Sequence, residues 1–289
     1  MKRFLIISLC LASLALTAKG QSNWGLRTNI GVEKKIAKGL DAGFDARYHL
    51  TDNFKQTDRW SVGVSLSKRL YRNEAKTFSV KAGLGYKYMK VHHDWSTRFK
   101  GDSTLAIADN LEPQYYISNK YSFNYADTYV DSRQRITASL QAGLELGRFK
   151  ISLREAYQFT HTDSVSYSVD RYRYSTKDRT DKGYDQIAGT NFWVRNDMEG
   201  KSASNSNVLR SKLSVDYDIP HCKFDPFISY ELFNNIDENL KSEKSRITAG
   251  VEFSFNKQHD FEVAYMWQNQ HDNDEPAGSF ICLSYKFEF

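Results

Sequence analysis

Charged residues that could bind ions, or pair with one another, recur along the chain between apolar neighbours. The set contains both signs and consists of Arg27, Asp45, Arg47, Arg59, Arg135, Glu145, Arg154, Arg210, Asp216, Glu231, Arg246 and Glu252. If these side chains share one interior, their interspersed signs favour salt bridges that crosslink it. A cavity left between them would instead bind or pass small charged solutes. Both interpretations stay open on the sequence alone.

Residue types used in acid–base catalysis occur, but they do not form a complete catalytic set. Glu155 and His161 lie on the side of their segment that carries Leu153 and Tyr157, so both would face outward. A lipid-facing histidine followed two positions later by serine is the pattern of outer-membrane phospholipases. His161 is followed two positions later by Asp163. We therefore predict that the chain is not an enzyme.

A metal site at His92-His93-Asp94 is a further alternative. Adjacent histidines on an extended chain point to opposite sides, and no second His or Cys pair accompanies them. The Ser- and Asn-rich stretch 200–207 lacks the spacing of a phosphate-binding loop. We expect no metal and no cofactor.

The elements that would position the charged set are eleven segments in which apolar and polar residues alternate. In the last segment one side carries Ile281, Leu283, Tyr285, Phe287 and Phe289. The ten earlier segments lie near 24–32, 40–50, 60–66, 78–88, 135–146, 149–159, 209–219, 228–232, 247–255 and 261–267. They approach the roughly 9–11 residues that a tilted membrane strand requires. The alternation predicts an all-β protein, a closed antiparallel transmembrane barrel with lipid outside and the charged set inside.

The connections between these segments alternate in length. Short ones lie near 33–39, 71–76, 147–148, 219–225 and 256–259, and longer ones at 51–58, 92–131, 162–207, 235–243 and 269–278. Outer-membrane barrels have short periplasmic turns and long extracellular loops, so Phe289 would lie at the periplasmic end. Because single-chain bacterial barrels normally have an even strand number, we predict twelve strands, or alternatively ten. The aromatic run from Tyr115 to Tyr125 would supply the twelfth strand.

The two longest loops, 92–131 and 162–207, are rich in Tyr, Asp, Lys and Arg. Val165, Tyr167 and Val169 keep the alternation of the segment 149–159, which predicts that this wall strand continues beyond the membrane as a hairpin. The loops would either bind a protein partner or form a solvated rim.

The amino-terminal residues predict export. Basic residues at 2–3 precede an apolar run over 4–16 and small residues that end at Gly20, which is the order of a secretory signal peptide. The run is too short to cross a membrane as a helix. We therefore predict a signal peptide over 1–20, cleaved near Gly20, and a barrel domain over 21–289.

Charge and cysteine content narrow the partners further. Removal of the signal peptide reduces the net charge from +5 to +2, so no nucleic-acid partner is expected. Cys10 raises a lipoprotein alternative, but Leu9 stands where lipidation requires a small residue. The remaining Cys222 and Cys282 are predicted to be unpaired.

Three short motifs resemble a known bacterial family. They are Phe44-Asp45-Ala46-Arg47-Tyr48, Gly83-Leu84-Gly85-Tyr86 and Ile228-Ser229-Tyr230-Glu231-Leu232-Phe233. With the order of the strands, they resemble the barrel family named domain of unknown function 2490. The likeness covers most of the chain after the signal peptide, and the chain departs from it through insertions at 92–131 and 162–207. The resemblance implies an outer-membrane barrel without an assigned activity, and it brings no catalytic residues.

The expected protein is thus an integral outer-membrane barrel of a Gram-negative bacterium. The first functional hypothesis is a narrow, porin-like channel or carrier with a charge-lined lumen. The second is a non-transporting barrel that docks a partner through the loops 92–131 and 162–207, and the third is a lipid-modifying enzyme. Its expected partners are outer-membrane lipid and the barrel-assembly machinery, which would recognise the terminal strand ending at Phe289.

Overall fold

The computed structural model describes residues 24–101, 107–256, 258–270, 275 and 277–289. The predicted signal peptide, its cleavage near Gly20 and Cys10 lie outside these residues. In chain order the elements are β1 (Trp24–Ala37), β2 (Leu40–Thr51), β3 (Gln56–Arg72), β4 (Phe78–His93), β5 (Ser96–Phe99), α1 (Pro113–Ser118), β6 (Phe123–Ala126), β7 (Tyr129–Leu146), β8 (Phe149–Thr162), β9 (Val165–Tyr174), a 3-10 turn (Thr180–Lys182), β10 (Asp185–Gln186), β11 (Phe192–Lys201), β12 (Ser204–Tyr217), β13 (Phe224–Asn235), β14 (Lys241–Phe255), β15 (His259–Gln270) and β16 (Gly278–Glu288).

The described residues divide into two compact units. The first, the barrel unit, comprises the residues up to Met89 together with Gln134–Thr160 and Asn205–Phe289. The second, the loop unit, comprises Lys90–Arg133 and His161–Ser204. In the part of the chain that the structure describes, no helix is both long and apolar enough to cross a membrane.

The barrel closes with eleven strands among the described residues, in the order β1-β16-β15-β14-β13-β12-β8-β7-β4-β3-β2. The predictions of twelve or ten strands are therefore wrong. With an odd number of up-and-down strands, the first and last strands must run in the same direction. Accordingly β1 and β16 pair in parallel, from Trp24 opposite Ser279 to Glu33 opposite Glu288. The barrel is mixed, not wholly antiparallel as predicted.

The alternation of side chains follows the two faces of the barrel wall. Leu140 on β7 is 55% exposed, and Ile30, Val64 and Ile228 on other strands are exposed in the same way. The intervening positions are polar and face inward, where Arg59 is buried. This arrangement, apolar outside and polar inside, is the reverse of a soluble protein.

The connections differ between the two ends of the barrel. At the end that carries Phe289 they span 38–39, 73–77, 147–148, 218–223 and 256–258. At the opposite end they span 52–55, 94–128, 163–203, 236–240 and 271–277. Two connections predicted to be long, 52–55 and 236–240, are tight turns because their flanking strands extend further than the apolar pattern indicates.

The loop unit contains a five-stranded sheet in the order β10-β11-β9-β6-β5. Its core packs Tyr116 of α1 against Phe123 and Phe192, all of them buried. The aromatic run from Tyr115 to Tyr125 therefore fills this core and is not a wall strand. The predicted hairpin after the wall strand β8 is present, because β9 (Val165–Tyr174) pairs antiparallel with β11, but residues 163–164 separate β9 from β8 and β9 belongs to the sheet of the loop unit.

Candidate functional site

The inward faces of the barrel strands enclose a cavity of about 650 Å³. Eleven of the twelve charged residues predicted from the sequence line it. The exception is Glu145, whose side chain is exposed near the end of β7. Ten lining residues are basic: Arg27, Arg47, Arg59, Lys87, Arg135, Arg154, Arg210, Lys212, Lys244 and Arg246. Six are acidic: Asp45, Asp216, Glu231, Glu252, Glu262 and Glu275. The cavity wall therefore carries a net positive charge.

One carboxylate, that of Glu275, is the centre of a buried cluster of cations. Its side chain is 7% exposed and comes from the connection between β15 and β16. Arg59 Nη1 and Arg27 Nη2 donate to its two oxygens over 3.1 and 3.4 Å. Lys244 Nζ lies 3.5 Å from Oε1, and Arg246 Nη2 donates to Oε2. We refer to these five residues as the Glu275 site.

A second buried carboxylate, that of Glu231 on β13, binds three arginines. Arg210 Nη2 and Arg154 Nη2 donate to Oε1 over 2.8 and 3.2 Å. Arg246 Nη1 lies 3.8 Å from Oε2, so this arginine joins Glu231 to the Glu275 site. Charge-assisted hydrogen bonds of this kind fix both partners in place.

Two buried aromatic rings orient the cations. The ring of Phe233 on β13 is contacted by Arg246, Lys244 and Arg210, whose charged groups lie 4.5, 4.7 and 4.8 Å from its centroid. The guanidinium of Arg27 lies 4.3 Å from the centroid of Phe280. Because cations are attracted to the face of an aromatic ring, these contacts hold the cations in position independently of Glu275.

A third group of ion pairs, on β2 and β4, lies nearer the Phe289 end of the barrel than Arg27 does. Asp45 Oδ2 accepts from Lys87 Nζ over 2.7 Å and from Arg47 Nε over 2.9 Å. Gly63 lies against this group, and a Cβ there would lie 3.0 Å from Lys87 Cε and 3.1 Å from Asp45 Oδ1, which would require the neighbouring side chains to shift by a few tenths of an ångström. The small residue on the inner face thus leaves room for a charge pair.

A second cavity of about 410 Å³ adjoins the first at the Phe289 end of the barrel, and the two share several lining residues. Its charged lining is acidic except for Lys286: Glu33, Asp45, Glu252, Asp260 and Glu262. Lys286 Nζ lies 3.3 Å from Asp260 and 3.5 Å from Glu33. Neither Glu252 nor Glu262 makes a hydrogen bond or ion pair within the ranges that the structure describes.

Both signs line the first cavity, as in the interspersed arrangement expected from the sequence, and Asp45, Glu252 and Glu262 line both cavities, so the second cavity differs in its excess of carboxylates. Ion pairs do crosslink the interior, as that arrangement implied, but they surround the carboxylates of the basic cavity. Strand register determines how the charged residues are distributed between the two cavities, because it determines which inward residues of neighbouring strands face the same cavity.

Glu155 and His161, the residues considered for a lipid-facing enzyme, belong to different units. The carboxylate of Glu155 accepts a hydrogen bond from Ser211 Oγ over 2.6 Å. In the loop unit, His161 Nε2 lies 3.4 Å from Asp163 Oδ1. Each polar side chain therefore has a local partner in the structure.

One of the two histidines considered as a metal site, His93, contacts a carboxylate and an aromatic ring. His93 Nε2 is 2.7 Å from Asp131 Oδ2, and its ring stacks on Tyr129. No group of three or more potential metal ligands occurs among the described residues. Cys222 and Cys282 are both free, as predicted.

The family of the chain follows from a sequence match that covers every barrel strand except the last, β16. Residues 24–277 match a family model described as protein of unknown function (DUF2490). The chain belongs to the DUF2490 family. The resemblance expected from the three short motifs is thereby confirmed.

The chain was also compared with solved structures and with curated proteins. The DUF2490 chain is similar to a solved structure, the β domain of the Bordetella autotransporter BrkA, with 10% sequence identity and a TM-score of 0.40. The alignment covers 87% of this chain and 82% of that chain. No curated protein matches the DUF2490 chain.

Replacing Glu275 by glutamine in the DUF2490 chain is expected to destabilise the barrel in a pH-dependent way. Burial alone would raise the pKa of the Glu275 carboxyl, but the four surrounding cations hold that pKa well below its usual value of 4.5. The carboxylate therefore stabilises the folded state above pH 4.5, and this contribution is lost as the pH falls further.

Urea unfolding in detergent measures the effect. Near neutral pH the wild type should exceed Glu275→Gln by about 3 kcal/mol in the free energy of unfolding. The difference should shrink on acidification. Glu238→Gln is the matched control, because Glu238 is exposed in a turn at the same end of the barrel. A difference that grows on acidification would contradict the assignment.

Proposed function

We propose that this chain is an integral outer-membrane barrel of a double-membraned bacterium. Apolar side chains on the outside of a closed wall suit lipid, and closure leaves no unpaired strand edge in the membrane. The short turns share one end with Phe289, so this end faces the periplasm and the longer connections face the cell exterior.

Within that membrane, the chain acts as a narrow channel or carrier for small charged solutes. One observation carries this function: a cavity of about 650 Å³ inside the wall, lined by ten cations and six carboxylates. Barrel diameter grows with strand number, so eleven strands enclose a narrow bore in which opposite walls act on the same solute. The excess of positive charge in this cavity favours anions over cations.

Conductance in planar bilayers tests the function. The purified barrel should conduct, and its reversal potential in a salt gradient should show a preference for anions. Lys212→Gln should lower the ratio of anion to cation permeability about twofold, because Lys212 lines the cavity and makes no hydrogen bond or ion pair with any described residue.

Lys55→Gln is the matched control, since Lys55 is exposed in the turn between β2 and β3 and its loss should leave the ratio unchanged. A folded barrel that stays silent at all voltages would reject the channel. A preference for cations would reject the role given to the basic cavity.

The proposed partners follow from the location. Outer-membrane lipid covers the apolar outer face, and the barrel-assembly machinery binds the terminal strand that ends at Phe289. No metal, cofactor or nucleic acid is required for this function, and we assign no catalytic role to any residue.

A second candidate function is the docking of a protein partner, which does not require an open lumen. The loop unit favours it because Tyr115, Val130 and Met198 expose apolar side chains there. These residues belong to the segments 92–131 and 162–207, for which a partner-binding surface was one of the two alternatives left open by the sequence.

A further inference from the structure

The cations of the Glu275 site are held by the barrel wall itself. Arg27 lies on β1, Arg59 on β3, and Lys244 and Arg246 lie on β14. Their side chains are between 4% and 12% exposed. Because their backbones belong to paired strands of a closed barrel, their positions are fixed before any anion binds.

The site also holds more positive charge than its carboxylate neutralises. Arg246 shares Glu231 with two other arginines, and Arg59 pairs with Asp58 over 2.7 Å. For Arg27, Glu275 is the one carboxylate within ion-pair distance among the described residues. Its Nε is buried and has no hydrogen-bond partner there. A buried excess of cations of this kind favours the binding of an anion.

Glu275 differs from Glu231 in its place in the chain. Glu231 belongs to strand β13, so the backbone ladder keeps its carboxylate in the lumen. Glu275 belongs to the connection between β15 and β16, and within the described part of the chain no strand pairing fixes its backbone. The carboxylate of Glu275 therefore behaves as a ligand brought to a preformed site.

We infer that the Glu275 site binds the carboxylate group of a small anionic solute, and that Glu275 is an internal ligand that competes with this solute. A solute carboxylate would meet the same four donors that Glu275 meets. The inference deepens the proposed function by naming the class of solute, and it rests on that function for the route by which the solute reaches the lumen.

Binding of citrate to the detergent-solubilised barrel, measured by titration calorimetry, tests the inference without any transport step. Glu275→Ala vacates the site, so it should bind citrate about a hundredfold more tightly than the wild type, if Glu275 occupies the site about 99% of the time. Adding Arg27→Gln to Glu275→Ala should abolish the gain. Glu238→Ala, an equal change of charge in an exposed turn, should bind citrate as the wild type does.

Heat-modifiable mobility on a gel establishes that each variant is folded. If Glu275→Ala does not fold, Glu275→Gln replaces it, and its citrate affinity should likewise exceed that of the wild type. Equal citrate affinity in the wild type and the folded Glu275 variant overturns the inference, as does tighter binding that survives Arg27→Gln.

These outcomes are separable from those for the channel. If the barrel does not conduct but its Glu275 variant binds citrate more tightly, the proposed site is supported and the channel function is rejected. If the barrel conducts but the Glu275 variant and the wild type bind citrate equally, the channel function is supported and the proposed site is rejected.

Discussion

Leu140→Arg is expected to abolish assembly of the barrel, whereas Gln141→Arg is expected to be tolerated. The two residues are neighbours on β7, but Leu140 is exposed on the outer face and Gln141 lies on the inner side. An arginine on the lipid face costs about 2–4 kcal/mol at the membrane centre. The same side chain pointing into the lumen keeps its contact with polar groups and water.

Assembly is measured as the amount of each variant that is recovered in the urea-washed outer-membrane fraction. Leu140→Arg should be missing from this fraction, and Gln141→Arg should be recovered at a yield close to that of the wild type. Because both variants add the same side chain at adjacent positions, they control for each other. Equal yields would contradict the assignment of the two faces.

Glu231→Gln is expected to destabilise the folded barrel by about 3–5 kcal/mol, because removal of one member of a buried ion-pair network leaves its partners uncompensated. Glu231 is buried and binds Arg154, Arg210 and Arg246. The lost charge leaves three guanidinium groups close together in a narrow lumen.

The free energy of unfolding in detergent, measured with urea, gives the size of the loss. Glu238→Gln removes an equal charge from an exposed pair with Lys241, and its effect should be about 0–1 kcal/mol. Comparable losses in the two variants would mean that Glu231 does not hold the arginine cluster together.

Much of the fold could be predicted from the alternation of apolar and polar residues along the sequence. The eleven alternating segments correspond to the eleven wall strands, yet the expectation of an even number led to a prediction of twelve. Parallel pairing of β1 with β16 joins residues some 250 positions apart, such as Trp24 and Ser279. Periodicity within each strand carries no information on which distant strand lies beside it.

The loop unit shows a second limit of pattern reasoning. Alternating aromatic residues between Tyr115 and Tyr125 look the same whether they face lipid or a packed core. In the structure Tyr116 and Phe123 are buried against Phe192, a contact between segments far apart in the chain. Tertiary contacts therefore decide between two interpretations that periodicity leaves equal.

The candidate site was predictable where it depends on strand parity. Inward parity places eleven of the twelve charged residues in the lumen, and it fails for Glu145, which lies near the end of its strand. Glu275 could not be predicted as a site residue, because a residue in a connection between strands does not belong to an alternating pattern of apolar and polar residues. The excess of carboxylates in the second cavity depends on strand register, which could not be predicted from the sequence.

The electrophoretic mobility of the detergent-extracted protein, with and without heating, tests most directly that this chain forms a closed transmembrane barrel. A folded barrel resists the denaturing detergent until it is heated, so the unheated sample should migrate faster than the heated one. Identical mobility of the two samples, in a protein that remains soluble without detergent, would contradict the account.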